Sequence, residues 1–348
     1  MTSTKVLTAS CHCRSVQFTI SVPVNSLPLN AYLCHCSICR HVHGAPCAFH
    51  AQLPSGVQPQ FIAPSSLADL TAYNHADSTY TRHFCSTCGC QIADRSHDNG
   101  DWVISTAIFD ANMKDEGIWK FKTHFHSDTS LDKGLAAFVS TIDGHRLEIV
   151  NAEQPRFSTA LRPQEGVSED KELLAQCHCG GVSFHISRPK ADFVKEPAGQ
   201  AWVSPLDKSK WLACMDTCDD CRLVNGTHVI GWLFVPVSHL SPTPPADLMI
   251  GSSKVYRSTA DVKRTFCGTC GATVFYSCDE RPGIVDIATG LLRAPEGIMA
   301  ETWAFWRAGR LAWPQNGLRY HAGFTQALME GFKQWGEERG QVQDFVIP

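Results

Sequence analysis

Two short stretches of the chain alternate apolar and polar residues with a period of two. Val16, Phe18 and Ile20 interleave with Gln17, Thr19 and Ser21, and Val182, Phe184 and Ile186 interleave with Ser183, His185 and Ser187. Each alternation predicts a half-buried strand. Other β-like stretches, such as Trp102 to Ile108 and Gly231 to Val235, are separated by Pro and Gly turns. Helical spacing is scarce. It predicts one helix over Leu131 to Val139 and another over Phe324 to Trp335, where Phe324, Leu328, Phe332 and Trp335 share a face. Asn151 to Lys171 is rich in Pro, Glu, Ser and Gln without apolar periodicity and reads as a linker, while Ser241 to Asp247, SPTPPAD, reads as a loop. The pattern predicts a mainly β chain, with one domain over 1–150, a linker over 151–171, and a second domain over 172–348 that ends in a helix.

The cysteines show that the two domains are copies. The first half carries CHC at Cys11 and Cys13, CHCSIC at Cys34, Cys36 and Cys39, and FCSTCG with Cys85 and Cys88. The second carries CHCG at Cys177 and Cys179, TCDDC at Cys218 and Cys221, and FCGTCG with Cys267 and Cys270. The CxC cysteines are offset by 166 positions, and the later pairs (Cys36 and Cys218, Cys39 and Cys221, Cys85 and Cys267, Cys88 and Cys270) by 182. A single insertion of 16 residues between the first and second motifs of the later copy accounts for every offset. This is a tandem duplication.

Composition narrows the class. A length of 348 residues suits two domains, each able to bury a core. With 43% apolar residues, 18% charged residues and a net charge of -4, nothing in the electrostatics points to a nucleic acid or an anionic membrane. No run of 18 apolar residues predicts a membrane span, and MTSTKVLTAS lacks the apolar core of a secretory signal. The 17 cysteines cluster as CxC and CxxC in a long chain, which favours metal binding over a disulfide scaffold. A reducing compartment, taken to be the cytoplasm, follows from that.

Zinc is the expected metal for tetrahedral thiolate sites there. Cys11, Cys13, Cys85 and Cys88 are expected to form one closed structural site, and Cys177, Cys179, Cys267 and Cys270 another. Gly89 and Gly271 follow the last cysteine of each set, where the backbone must turn sharply beneath a metal. The middle motif differs. Cys34, Cys36 and Cys39 offer three thiolates, the arrangement of a catalytic zinc with an exchangeable position, unless Cys47 or Cys90 closes the site. In the second copy the 182 offset places Asp216 where the first has Cys34, so the candidate ligands are Asp216, Cys218 and Cys221. Cys214 is a rival ligand out of register, and a metal-free second site is the third possibility. Three to four zinc ions per chain are expected.

Several polar residues are candidates for catalysis beside the first middle motif. Arg40 could hold a substrate carboxylate or offset the thiolates. His41, His43, and His124 with His126 in THFH could accept a proton as neutral imidazoles. His12, His35 and His178 sit inside the CHC motifs and should point away from the metals.

Together, CHC with its following strand, CHCSICR and FCSTCG resemble the glutathione-dependent formaldehyde-activating enzyme family, which includes the centromere protein V group. The resemblance covers roughly residues 5–130 and 171–310 and rests on three motifs in order. It implies two tandem zinc-binding domains of stacked antiparallel sheets with few short helices. It also implies a structural zinc on CxC and CxxC, a second zinc on CxCxxC, and carbon–sulfur lyase activity on S-hydroxymethylglutathione. Cys11, Cys13, Cys85 and Cys88 match the structural ligands, and Cys34, Cys36 and Cys39 the catalytic ones. The expected function is a zinc-dependent lyase-type enzyme acting on a small molecule, which the resemblance makes a glutathione adduct. Two alternatives stay open. One is zinc Lewis-acid rearrangement or ring opening of a larger natural-product intermediate, and the other is a non-catalytic zinc scaffold for a protein partner.

Overall fold

The computed structural model describes residues 3–76, 78–113, 117–151, 171–341 and 345–347; the expected linker lies outside them except for Asn151 and Lys171. The chain is mainly β, and each half holds a small sheet and a large one. In the first half Thr4–Ser10, Gln17–Pro23 and Gln60–Phe61 form the small antiparallel sheet, with Phe18, Ile20 and Val22 buried on one face as the alternation requires. In the second, Glu172–Gln176, Ser183–Ser187 and Leu240–Ser241 repeat it, with Val182, Phe184 and Ile186 buried. The large sheets have eight and seven strands.

The large sheets are antiparallel through their middles and parallel at one edge. Trp119–Phe125 runs parallel to Leu29–Cys34, and Ala304–Trp306 runs parallel to Trp211–Asp216. The predicted helix over Leu131 to Val139 is a correction. Only Gly134–Ala137 turns, as a 3-10 helix, and Leu131 is 83% exposed. Lys133 and Gly134 take left-handed φ of 59° and 52°, which breaks the α-helical path before Leu135 and Val139 turn into the core. Trp102–Ser105 is a strand as expected, but Thr106–Ile108 leaves it as a 3-10 turn. The C-terminal helix is present as Ala322–Glu338, with Phe324, Leu328, Phe332 and Trp335 all buried. Each such side chain contributes roughly 2 kcal/mol by removal from water.

That helix buttresses the other copy. Phe324 meets Phe49 edge-on at 4.9 Å, and Phe332 and Trp335 meet Phe138 at 5.6 and 5.9 Å. The two halves share one continuous core. Their contacts are reciprocal. Gly44 ends the Ser37–His43 helix in the left-handed region and lies against the Thr273 carbonyl; Gly226 ends the Asp219–Asn225 helix the same way and lies against the Gln91 carbonyl. A Cβ at either glycine would sit 2.3 Å from that oxygen. The helix that begins at each middle motif therefore ends on the opposite half.

Between the halves His228 is buried, with Nε2 3.0 Å from Thr106 Oγ1 and the Phe49 ring at 4.8 Å. Burial, reinforced by His321 and Arg222, holds its pKa well below the usual imidazole range.

Gly226→Ala should cost at least about 2 kcal/mol of stability, combining left-handed strain of ~1–2 kcal/mol with the carbonyl clash. Gly56→Ala, at φ 79 with open space around it, should cost only the strain. Urea unfolding of both variants checks the difference, and equal losses would show that the close approach is not tight. A second outcome concerns pH. The unfolded chain takes up a proton at His228 that the folded chain refuses, so this residue's contribution is present above pH ~6.5 and lost below it, at about 1.4 kcal/mol per unit. Between pH 7.5 and 5.5, His228→Gln should lose less stability than wild type; parallel curves would contradict this.

Candidate functional site

Two hairpins meet at each four-cysteine cluster. Cys11 and Cys13 lie in the turn joining the first two strands of the small sheet, closed by the Cys11 N–H to the Val16 carbonyl at 3.1 Å. Cys85 and Cys88 lie in a turn of the large sheet, closed by the Cys85 N–H to the Cys90 carbonyl at 2.8 Å. The second half repeats both turns at Cys177 with Val182 and at Cys267 with Ala272. Gly89 and Gly271 adopt φ of 81° and 78°, and each also packs under a phenylalanine of the other half, Phe266 and Phe84. Any Cβ would clash there, so glycine is required twice over.

All eight cysteines are free thiols, and within each set the sulfurs lie within 4.8 Å of one another. Cys13 Sγ is 3.5 Å from both Cys11 and Cys85, and Cys179 Sγ is 3.5 Å from both Cys177 and Cys267. Four thiolates on one zinc at 2.3 Å would stand about 3.8 Å apart, so these donor sets fit a closed tetrahedral ion. Hydrogen bonds from neighbouring thiols pull Cys13 and Cys267 far below the ordinary thiol range.

The middle motif is built by a strand running into a helix. Cys34 ends Leu29–Cys34, Cys36 caps the Ser37–His43 helix by accepting the Cys39 N–H at 3.3 Å, and Cys39 lies in the first turn. Their three sulfurs converge within 4.8 Å, and Cys47 and Cys90 do not join them. Donation from Cys34 and Cys39 lowers the Cys36 thiol well below its usual range.

Cross-strand register then gathers residues that the sequence did not single out. His50 is opposite Tyr32, two residues before Cys34, and Asp94 is opposite Arg82. His50 stacks near His43 at 5.3 Å and Tyr32 at 5.9 Å. Burial opposes the charge on Arg82, but Asp94 at 4.0 Å and the Cys39 and Cys36 thiols hold its pKa above its ordinary range. Burial keeps His43 and His50 below the usual imidazole range, hence neutral near pH 7. One legible signal existed: the 182 offset maps Arg82 onto Arg264, so both copies carry an arginine at this point.

The other candidates are dispersed. Arg40 is buried with its Nε donating to the His35 carbonyl at 3.0 Å. His41 packs against Arg293 of the second half, on the far side of its helix turn. His124 Nδ1 lies 2.9 Å from His35 Nε2, and its Nε2 lies 2.7 Å from the Val139 carbonyl. The strand ends at Phe125, so His126 does not alternate with His124; it takes a left-handed φ of 57° instead. Phe125 pairs with Cys34 and Ala312 with Asp216, so the residue after Ala312, Trp313, holds the equivalent position in the second half and is also left-handed at φ 52°. Both residues therefore carry the same backbone turn just past the parallel pairing beside each middle motif.

The second middle motif keeps the shape with different chemistry. Cys218 caps the Asp219–Asn225 helix, and the ligand atoms of Asp216, Cys218 and Cys221 lie within 4.8 Å. Asp216 Oδ1 accepts the Cys218 N–H at 2.8 Å, and Oδ2 accepts from the Cys221 thiol at 3.3 Å. Cys214 is opposite Trp232 and outside that group, whereas Asp216 is opposite Ile230, just as Cys34 is opposite Ala48. Asn225 stands at the position of His43, Trp232 at that of His50, and Tyr276 at that of Asp94. Arg264 remains, with Nη1 3.5 Å from Cys221 Sγ. Burial and the Cys221 charge raise Asp216 well above the carboxylate range, whereas in the first cluster Cys36 is drawn down by its two neighbours.

A family model described as glutathione-dependent formaldehyde-activating enzyme matches residues 6–127 and again 205–308. No curated protein matches the chain. No helix among the described residues is long and apolar enough to cross a membrane.

Cys85→Ser and Cys267→Ser should each yield protein that is insoluble or melts without cooperativity, because a closed metal site contributes folding free energy directly. Thermal melting by circular dichroism decides this. A soluble Cys85→Ser protein with a wild-type transition would remove the structural role.

Proposed function

The chain belongs to the glutathione-dependent formaldehyde-activating enzyme family, and from that membership we propose a zinc-dependent carbon–sulfur lyase whose working site is the Cys34, Cys36 and Cys39 cluster. The observation that carries the reading is a set of three converging soft donors, with no fourth protein ligand among the described residues, beside two neutral imidazoles. Cys11, Cys13, Cys85 and Cys88, and Cys177, Cys179, Cys267 and Cys270, would hold closed structural zinc ions. Zinc on Cys34, Cys36 and Cys39 would supply Lewis acidity at an open coordination position.

The substrate class is an S-hydroxymethyl thiol adduct such as that of glutathione. In the lyase direction the carbon–sulfur bond breaks and its electron pair stays on sulfur. The hydroxyl O–H pair becomes the second carbon–oxygen bond, the hydroxyl proton passes to an imidazole, and that imidazole returns it to the departing sulfur. His50 and His43 fit the acceptor role, since both are neutral and lie beside the cluster. Arg82, held charged by Asp94, favours the thiolate forms of Cys36 and Cys39 and so keeps the donor set ready for a cation. The second cluster has lost both imidazoles to Asn225 and Trp232, which supports placing turnover in the first half.

Cys36→Ser should lower turnover of S-hydroxymethylglutathione at least ~100-fold with little change in melting, and His50→Gln should lower it by a factor on the order of 100. Steady-state assays beside melting curves measure this. Full turnover in Cys36→Ser would sink the assignment.

A further inference from the structure

Two histidine–tyrosine pairs cross between the halves. His12, inside the first CxC turn, places Nδ1 2.7 Å from the Tyr256 hydroxyl, and its backbone N–H donates to the Leu223 carbonyl at 3.2 Å. His178, inside the second CxC turn, repeats both contacts, with Nδ1 2.6 Å from the Tyr73 hydroxyl and its N–H donating to the His41 carbonyl at 3.2 Å. Leu223 and His41 lie in the helices that begin at the second and first middle clusters, respectively. The tyrosines stand in register with the arginines of those same clusters, Tyr256 opposite Arg264 and Tyr73 opposite Arg82. Each CxC turn thus grips the cluster helix, and the strand paired with the cluster arginine's strand, of the half to which it does not belong.

The two crossings differ at one atom. At the second cluster His12 Nε2 lies 3.3 Å from Asp220 Oδ1, between Cys218 and Cys221. At the first, the 182 offset puts Ile38 where Asp220 stands, and the partner of the His178 ring is His75, at 4.9 Å. His178 also lies near enough to Cys36 and Arg82 for their charges to act on it.

We propose that each middle cluster is a composite of both halves, with His178 and Tyr73 as positioning residues for the Cys34 cluster and His12 and Tyr256 for the Asp216 cluster. The turn that carries one half's closed four-cysteine cluster sets the helix start and the arginine of the other half's cluster. A second copy in the same chain is then part of the site. The inference concerns the geometry of the clusters and stands apart from the reaction assigned above.

Peptide-resolved alkylation of the intact, metal-loaded chain with iodoacetamide tests it. One buried hydrogen bond is worth about 0.5–1.5 kcal/mol, which corresponds to roughly a 2- to 10-fold change in the opening of a cluster. His178→Ala and Tyr73→Phe should speed labelling of Cys34, Cys36 and Cys39 by that factor and leave Cys218 and Cys221 unchanged. His12→Ala and Tyr256→Phe should do the reverse. His178→Asn, whose amide can replace the Nδ1 bond, should restore the wild-type rate at Cys34, Cys36 and Cys39. Tyr73→Phe leaves the CxC turn intact, so it separates loss of the crossing bond from damage to the turn. Equal acceleration at both clusters, acceleration confined to the histidine's own half, or no change in any variant would each overturn the proposal.

Discussion

Sulfur crowding is the constraint on which the rest of this structure depends. Four thiols drawn from two separate hairpins converge with sulfurs 3.5 Å apart, in a setting where their charges would repel unless a cation gathered them. One hairpin belongs to the small sheet and the other to the large sheet, so each cluster fixes the angle between the two sheets of its half. The same turns carry Gly89 and Gly271, which let Phe266 and Phe84 approach from the opposite copy. Holding the sheets together and docking the halves are therefore one task, done by the same few residues.

On that frame the two copies have diverged in a directed way. The strand-to-helix corner is the same in both, down to the cysteine cap and the left-handed glycine. The first copy surrounds its cluster with Tyr32, His43, His50, Asp94 and Arg82, a set able to move protons beside a thiolate. The second keeps the arginine but substitutes Cys214, Asn225, Trp232 and Tyr276 for the others. Asn225, at the position of His43, donates to the His43 carbonyl at 2.7 Å and so helps to seat the first copy's imidazole. The two corners share one backbone shape and differ in the ionisable side chains around it.

Much of this was legible from spacing alone. The paired offsets identified the duplication, grouped the eight cysteines of the four-cysteine clusters, and placed Asp216 at the position of Cys34, because ligand spacing within a turn is a local property. The alternation around Phe18 and Phe184 and the face of the C-terminal helix were readable for the same reason. Register between distant strands is not local. Nothing near His50 or Asp94 in the sequence says that they meet Tyr32 and Arg82 on one sheet face. The pairs His12 with Tyr256 and His178 with Tyr73 depend on how two domains dock, which periodicity does not encode. The expected helix at Leu131 failed because the backbone turns left-handed at Lys133 and Gly134, a local conformation that apolar spacing does not reveal, and Leu131 faces solvent.

The central claim is that soft-donor clusters filled by zinc organise both halves and leave one chemically open corner. Crystals of the purified chain measured on both sides of the zinc absorption edge test it most directly. The account predicts strong anomalous peaks at the Cys11, Cys13, Cys85 and Cys88 cluster, at the Cys177, Cys179, Cys267 and Cys270 cluster, and at Cys34, Cys36 and Cys39, the last with a non-protein fourth ligand. Disulfide bonds within the four-cysteine clusters, or clusters without an anomalous peak, would contradict it.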